Sequence, residues 1–213
     1  DDAEQGGFSL LGSIFNNYGA ATVNLEEAPT AKNLKGAAVY VMVDPDGWKD
    51  TKSPNYMDEK SAKAIAEWVK QGGVLFLMAN DTSNCDLKYF NTLSNKFGIH
   101  FSDKSRNMVQ GKEFETGAVF NNAINPVFRK TKKMYLKEIS VLETKSPAKP
   151  LLSEGGDVIM ATAKYGKGTV FAVGDPWLYN EYVDGRKIPA EFENFSAANE
   201  LVQWLLKQVP AKK

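Results

Sequence analysis

Hydrophobic side chains recur along this chain in two rhythms, and their alternation sets the order of elements. Phe8, Leu11, Phe15 and Tyr18, with Leu10 and Ile14 beside them, fall three or four residues apart and stop at Gly19. Glycine suits a left-handed helix end, so this pattern predicts an amphipathic first helix. Residues 21–25 then predict a short strand and residues 29–34 a turn of helix. The run Ala37-Ala38-Val39-Tyr40-Val41-Met42-Val43, closed by Asp44-Pro45, is apolar almost throughout. That predicts a central parallel strand, because such strands are covered on both faces.

Asp58 is placed to N-cap a helix whose inward stripe is Ala62, Ile65, Ala66 and Val69, with Gly72-Gly73 at its end. Residues 74–79 predict a second buried strand, Leu87, Phe90 and Phe97 a helix closed by Gly98, and residues 99–101 a short strand. This βαβα order with brief connections predicts an α/β architecture, a parallel sheet with helices on both faces. From residue 102 to 150 the pattern shortens into alternating stretches, among them residues 133–142, broken by Gly111, Gly117, Pro126 and Pro147. These predict β-rich decoration on a single domain spanning residues 1–209. Residues 157–163 and 169–173 predict a hairpin around Tyr165-Gly166-Lys167-Gly168. A last helix over about 196–209 turns Ala198, Leu201, Val202, Leu205 and Leu206 inward, and residues 210–213 are expected to be a disordered tail.

Charge and composition remove whole classes of partner. The 26 basic and 26 acidic side chains cancel, so there is no field to gather nucleic acid or an anionic membrane. The longest apolar runs are about six residues, against the roughly 20 needed to cross a bilayer, so membrane insertion is not expected. Cys85 is the single cysteine, which excludes an internal disulfide. The start, Asp1-Asp2-Ala3-Glu4, lacks the basic and apolar regions of a signal peptide and is not Met, which points to a mature fragment or an excised domain.

In an open α/β sheet, ligands bind beyond the carboxyl ends of the strands, which directs attention to the loops after Val43, Ala79 and Val173. The candidate ligand-binding residues there are Asp44, Asp46 and Trp48, then Asn80 and Asp81, then Asp175, Trp177 and Tyr179. An acidic and aromatic rim suits a polar neutral ligand such as a sugar, with rings stacking and carboxylates accepting hydroxyl hydrogen bonds. The same residue types also serve loops simply as turn formers, and tryptophan often plugs a core.

No catalytic residue is assigned. Cys85 as a nucleophile would need His100, the sole histidine, as its base, yet His100 follows Phe97-Gly98-Ile99 at an edge-like strand. The tight turn after residues 74–79, where an elbow would hold its nucleophile, offers Asn80 and Asp81 instead. Gly166-Lys167-Gly168 lacks the remainder of a phosphate loop and reads as a hairpin turn. One histidine and one cysteine supply no zinc shell, and Asp44, Asp46 and Asp50 lack the glycine and distal glutamate of a calcium loop. Neither cofactor nor metal is therefore expected. Glu191 and Glu193 have the chemistry for glycoside hydrolysis, but nothing in the sequence puts them in one cleft.

Three strings carry a family resemblance: residues 66–75 (AEWVKQGGVL), 96–101 (KFGIHF) and 165–177 (YGKGTVFAVGDPW). They resemble the class I glutamine amidotransferase-like domains of some bacterial polysaccharide-degrading proteins. Nearly the whole chain resembles the C-terminal region of Bacteroidetes unsaturated rhamnogalacturonyl hydrolases of glycoside hydrolase family 105. The resemblance implies a flavodoxin-like, class I glutamine amidotransferase-like three-layer sandwich with a mainly parallel central sheet and a β-rich insertion. The family places a cysteine and a histidine where this chain has Asn80-Asp81 and Gly174-Asp175-Pro176, so both catalytic positions are vacant. The family's first strand precedes the opening helix, whereas this chain begins almost at that helix.

What the resemblance implies is a non-catalytic accessory domain of a secreted pectin-degrading (rhamnogalacturonan) hydrolase, in the periplasm or at the cell surface. Its partner would be an (α/α)-barrel catalytic domain of the same parent protein, with glycan binding or homo-oligomer contacts as further roles. The alternative is a hydrolase in its own right with a non-standard site.

Overall fold

The computed structural model describes residues 4–121 and 124–211. Residues 1–3 of the acidic start and Lys212 and Lys213 of the expected tail lie outside the described residues. In chain order the elements are α1 (Ser9–Asn17), β1 (Val39–Val43), α2 (Glu59–Lys70), β2 (Val74–Met78), α3 (Leu87–Ser94), β3 (Ile99–Arg106), β4 (Ala118–Phe120), β5 (Lys133–Tyr135), β6 (Ile139–Thr144), β7 (Ala148–Glu154), β8 (Asp157–Tyr165), β9 (Gly168–Val173), α4 (Asn180–Val183) and α5 (Asn194–Lys207).

The α2–β2 unit shows how local chemistry builds the frame. Asp58 accepts a hydrogen bond from the Ser61 amide at 2.6 Å, while Glu59 and Lys70 sit at the helix ends that the macrodipole favours for their charges. Ala62, Ile65, Ala66 and Val69 are buried, and Gly72 leaves the helix with φ 126°. All five residues of β2 are buried, because β1 and β9 flank its edges and helices cover both faces. Val74, Phe76 and Met78 join the core under α1 and α5, and Leu75 and Leu77 join the core under α2 and α3. This is the period-two alternation of a strand in a three-layer sandwich.

The main sheet runs in the order β1-β2-β9-β8-β6-β3, with β7 also paired to β8. Among the described residues only β1, β2 and β9 are parallel neighbours, and every other pairing is antiparallel. The molecule is thus mixed α/β, with a smaller parallel portion than the sequence predicts. Residues 102–150 are β-rich as expected, but β6, β7 and the end of β3 belong to the main sheet. Within residues 102–150, β4 and β5 form a separate two-stranded ladder. Short alternating runs look alike whether they decorate a sheet or extend it, which is why sequence alone does not separate the two.

β1 is parallel but lies at the edge and is only half-buried, not central. Its run of apolar residues reports coverage of both faces and says nothing of the edge. Residues 21–25 form no strand; Ala20 packs with one core and Leu25 with the other, so this segment carries the chain from one face of the sheet to the other. The β8–β9 hairpin turns at Gly166 (φ 59°) as expected, and α5 seals the face that α1 shares.

Gly174, just past β9, approaches β6 so closely that the Ser140 amide donates to its carbonyl at 2.8 Å. A Cβ there would lie 2.0 Å from the Ser140 carbonyl oxygen, which is backbone and cannot swing away. Gly174→Ala is therefore expected to lower stability by about 1–3 kcal/mol or more through overpacking, read as a drop in the urea midpoint at unchanged m.

Candidate functional site

Parallel register sets the ends of three strands side by side: Val43 pairs with Met78, and Met78 with Val173. The residues that follow converge. The Asn80 amide donates to Asp44 Oδ1 at 3.0 Å, and the Asp44 amide donates to the Met78 carbonyl at 3.0 Å. Asp44 holds φ 30°, a left-handed conformation uncommon outside glycine. Asp175 Oδ2 accepts from the Lys137 amide at 2.8 Å.

Together they wall a cavity of about 360 Å³ at the carboxyl end of the parallel strands, where open α/β sheets bind ligands. Of the residues singled out in the sequence, Asp44, Asp46, Asn80, Asp175 and Tyr179 line it. The remainder do not. Trp48 is 74% exposed on a neighbouring turn. Trp177 is buried in the core, edge-on to Phe128 with ring centroids 6.4 Å apart. Asp81 is buried but closes its own turn, Oδ1 accepting from the Ser83 amide at 3.0 Å and from Asn84 Nδ2 at 2.9 Å. The tryptophan stacking platform expected for a sugar is absent from this cavity, and the rings that line it are those of Tyr179 and Tyr182.

Four lining residues escape sequence reasoning. Glu181 and Tyr182 come from α4, shortly after Asp175, and inspection of the whole loop following β9 would have found them. Lys137 and Glu138 lie between β5 and β6, where no motif marks them. Glu138 adopts φ 52°, and its amide donates to the Asn107 carbonyl at 2.9 Å, fixing that connection at the cavity wall.

Burial dominates the electrostatics. It pushes the Asp44 carboxyl up to about 7, with the charges of Asp81 and Asp46 adding and the Asn80 amide and Cys85 thiol opposing. Burial likewise raises Asp175 well above the usual carboxylate range; the Lys137 amide opposes this, and the charges of Asp44 and Glu138 add to it. The Tyr179 hydroxyl is pushed up by burial and then by Asp44, Asp175 and Glu181. Burial lowers Lys137, but the hydrogen bond to Glu138 at 3.1 Å and the nearby acids outweigh it and hold the ammonium above its ordinary value. The cavity is thus rich in acceptors, with the Asp44 carboxyl poised to hold its proton near neutral pH and burial raising that of Asp175 in the same direction.

Cys85 and His100 do not meet. Cys85 is buried, its thiol directed to the Asn80 and Asp81 carbonyls at 3.4 and 3.6 Å, and burial together with three aspartates pushes its ionisation far up. His100 sits on β3, its Nδ1 3.1 Å from Asn95 Oδ1, beside a separate cavity of about 320 Å³. Three strands, β9, β8 and β6, intervene between β2, which leads to Cys85, and β3. Among the described residues no group of three His, Cys, Asp or Glu side chains is placed to hold a metal ion. Asp50 instead accepts from the Gly47 amide at 2.9 Å, and Glu193 accepts from the Lys132 and Lys133 amides. No helix among the described residues is long and apolar enough to cross a membrane.

No protein-family model matches the chain, and no curated protein sequence matches it. Solved structures do. The mmIFT52 N-terminal domain aligns at TM-score 0.70 and 18% identity, covering 94% of this chain and 90% of its own. The cytoplasmic protein STM1381 from Salmonella typhimurium LT2 aligns at TM-score 0.67 and 18% identity, covering 99% and 90%. The exo-beta-1,4-mannosidase Op5Man5 from Opitutaceae bacterium strain TAV5 aligns at TM-score 0.53 and 12% identity over 95% of this chain but 31% of its own. At these identities the likeness is one of fold.

These findings overturn the resemblance to class I glutamine amidotransferases and family 105 hydrolases, since the mmIFT52 domain and the Salmonella proteins match this chain nearly end to end. The strings that suggested it fall on the α2–β2 junction, the turn into β3 and the β8–β9 hairpin, where packing and turn geometry alone demand such residues. The periplasmic or cell-surface placement falls with it, because two of these neighbours are described as cytoplasmic proteins.

Two outcomes follow from the site's protonation. Asp44 keeps its proton to about pH 7 when folded but ionises near 3.8 otherwise, so the stability it contributes is complete below pH 3.8 and is lost as pH rises through 7. Urea midpoints are expected to fall from pH 5 to pH 8, and Asp44→Asn, which cannot ionise, is expected to shrink that fall. Cys85 is expected to resist a thiol reagent at pH 8 in the native chain and to react at once in denaturant, measured as released chromophore.

Proposed function

We propose that the chain is a non-catalytic accessory domain that positions neighbouring domains or subunits in a longer protein. The observation that carries this reading is that Cys85 and His100, the single cysteine and single histidine of the chain, are separated by three strands and form no nucleophile and base pair. The fold also recurs as one part of larger chains: the match to the mannosidase spans 31% of it, and that to the beta-galactosidase from Bacillus circulans sp. alkalophilus, at TM-score 0.55 and 14% identity, spans 27%. Those two likenesses favour a glycoside hydrolase as the setting, with no preference for any one polysaccharide. The flavodoxin-like description belongs to the same proposal, resting on the β1-β2-β9 parallel group between α1 and α5 on one side and α2 and α3 on the other.

A second reading, a hydrolase with a non-standard site, draws on Asp44 and Asp175, two carboxyls with raised pKa in one cavity. The purified chain decides between them. Incubated with nitrophenyl glycosides, nitrophenyl esters and glutamine, it is expected to release no product above buffer. Turnover that disappears in Asp44→Asn would establish the hydrolase instead.

A further inference from the structure

The two ends of the main sheet are guarded differently. β3, at one end, carries Asp103, Lys104 and Arg106 in its C-terminal half, ties Lys104 to Asp157 at 2.5 Å and Arg106 to Glu154, and shifts register between Phe101 and Ser105. Charges and bulges of this kind keep an edge from pairing with another chain. β1, at the other end, has neither: Val39 to Val43 are all apolar, pair with β2 in unbroken register, and are each only half-buried. The ladder fixes which of its groups are left over. The Ala38 carbonyl accepts from the Val74 amide at 3.1 Å and the Asp44 amide donates to the Met78 carbonyl at 3.0 Å, so Val39, Val41 and Val43 turn their N–H and C=O groups away from β2. Among the described residues, those of 21–25 included, nothing hydrogen-bonds to these outward groups.

A second copy of the chain satisfies them all. Antiparallel pairing about a twofold axis at Val41 sets Val41 opposite its own counterpart and Val39 opposite the copy's Val43, each as a hydrogen-bonded pair, and such a contact closes on itself. Tyr40 then lies across from the copy's Met42 on the face that both already share with the core under α2 and α3. Charge selects the same arrangement. The exposed charges nearest the strand are Lys35 before it and Asp46 after it, and among the described residues neither forms an ion pair. The twofold brings Lys35 of each copy alongside Asp46 of the other, whereas a parallel copy would set like charge against like. Trp48, 74% exposed on the turn after β1, lies at the same end as Asp46 and supplies the kind of aromatic side chain that interfaces favour.

We propose that β1 is a homodimer interface, where two copies of this chain join their sheets edge to edge through antiparallel pairing centred on Val41. This deepens the accessory-domain reading and rests on it only for its purpose, since it names a subunit that the domain would position. The two fail separately: a monomer removes the contact and leaves the missing catalytic pair untouched, and turnover by the purified chain removes that reading and leaves the contact.

The test is sedimentation equilibrium of the full chain from low micromolar to near-millimolar concentration, with amide hydrogen exchange followed over the same range. A monomer–dimer equilibrium is expected, with exchange of the Val39, Val41 and Val43 amides slowing as the dimer fills. Val41→Pro removes the central outward N–H at an edge position where proline is tolerated, and is expected to give a monomer with an unchanged circular dichroism spectrum. Lys35→Glu, on an exposed side chain, is expected to weaken association about tenfold because the twofold reverses two contacts at once, and combining it with Asp46→Lys is expected to restore it. The charge pair decides the matter should Val41→Pro fail to fold. A chain that stays monomeric throughout overturns the proposal. So does a dimer or larger assembly that leaves the three valine amides exchanging as in the monomer, or a charge reversal that the second substitution does not rescue.

Discussion

The register of three parallel strands governs this molecule. Because β2 is held between β1 and β9 with Met78 level with both Val43 and Val173, Asp44, Asn80 and Asp175 must share one corner. No single loop could force two carboxyls into that space, since each would move away from burial and from the other's charge. The core on both faces of β2 supplies the constraint, and the ladder transmits it to residues that would otherwise face water. The raised ionisation of Asp44 and Asp175 is the mark of that compulsion.

The second half of the sheet serves the same corner from a different direction. β6 lies against β8, and the connection from β5 brings Lys137 and Glu138 over the strand ends. The Lys137 amide grips Asp175 while its ammonium pairs with Glu138, so one dipeptide both fixes an acid and closes the wall. Gly174 permits this, because any side chain there would push β6 away. The antiparallel strands are therefore part of the site's construction as well as of the sheet.

How much of this was legible in the sequence depends on the range of the interaction that decides each feature. α2, with Asp58 before it and Gly72 after it, is written in local residues, and so is the β8–β9 turn. The convergence of the loops after β1, β2 and β9 was legible too, because parallel strands present their carboxyl ends on one side. The edge position of β1 was not, since Val39 to Val43 read as central whenever both faces are apolar. Nor was the fate of the tryptophans: Trp48 and Trp177 both sit in loops of suitable composition, and only tertiary packing sends one to solvent and the other into the core beside Phe128. Lys137 and Glu138 reach the site through pairings set by distant strands, which leave no local signature.

The pairing of Val74 with Thr169 joins residues that leave the ribosome far apart in time. Until the C-terminal strand arrives, β2 has an open side, and its wholly apolar residues have only β1 for company. Synthesis from the N-terminus thus produces a long intermediate in which a strand destined for the interior of the sheet has an unpaired edge, a situation that slows folding and invites association. Shortened versions of this polypeptide lacking residues 168–173 would lack the strand that completes the middle of the molecule, and with it the corner where the acids meet.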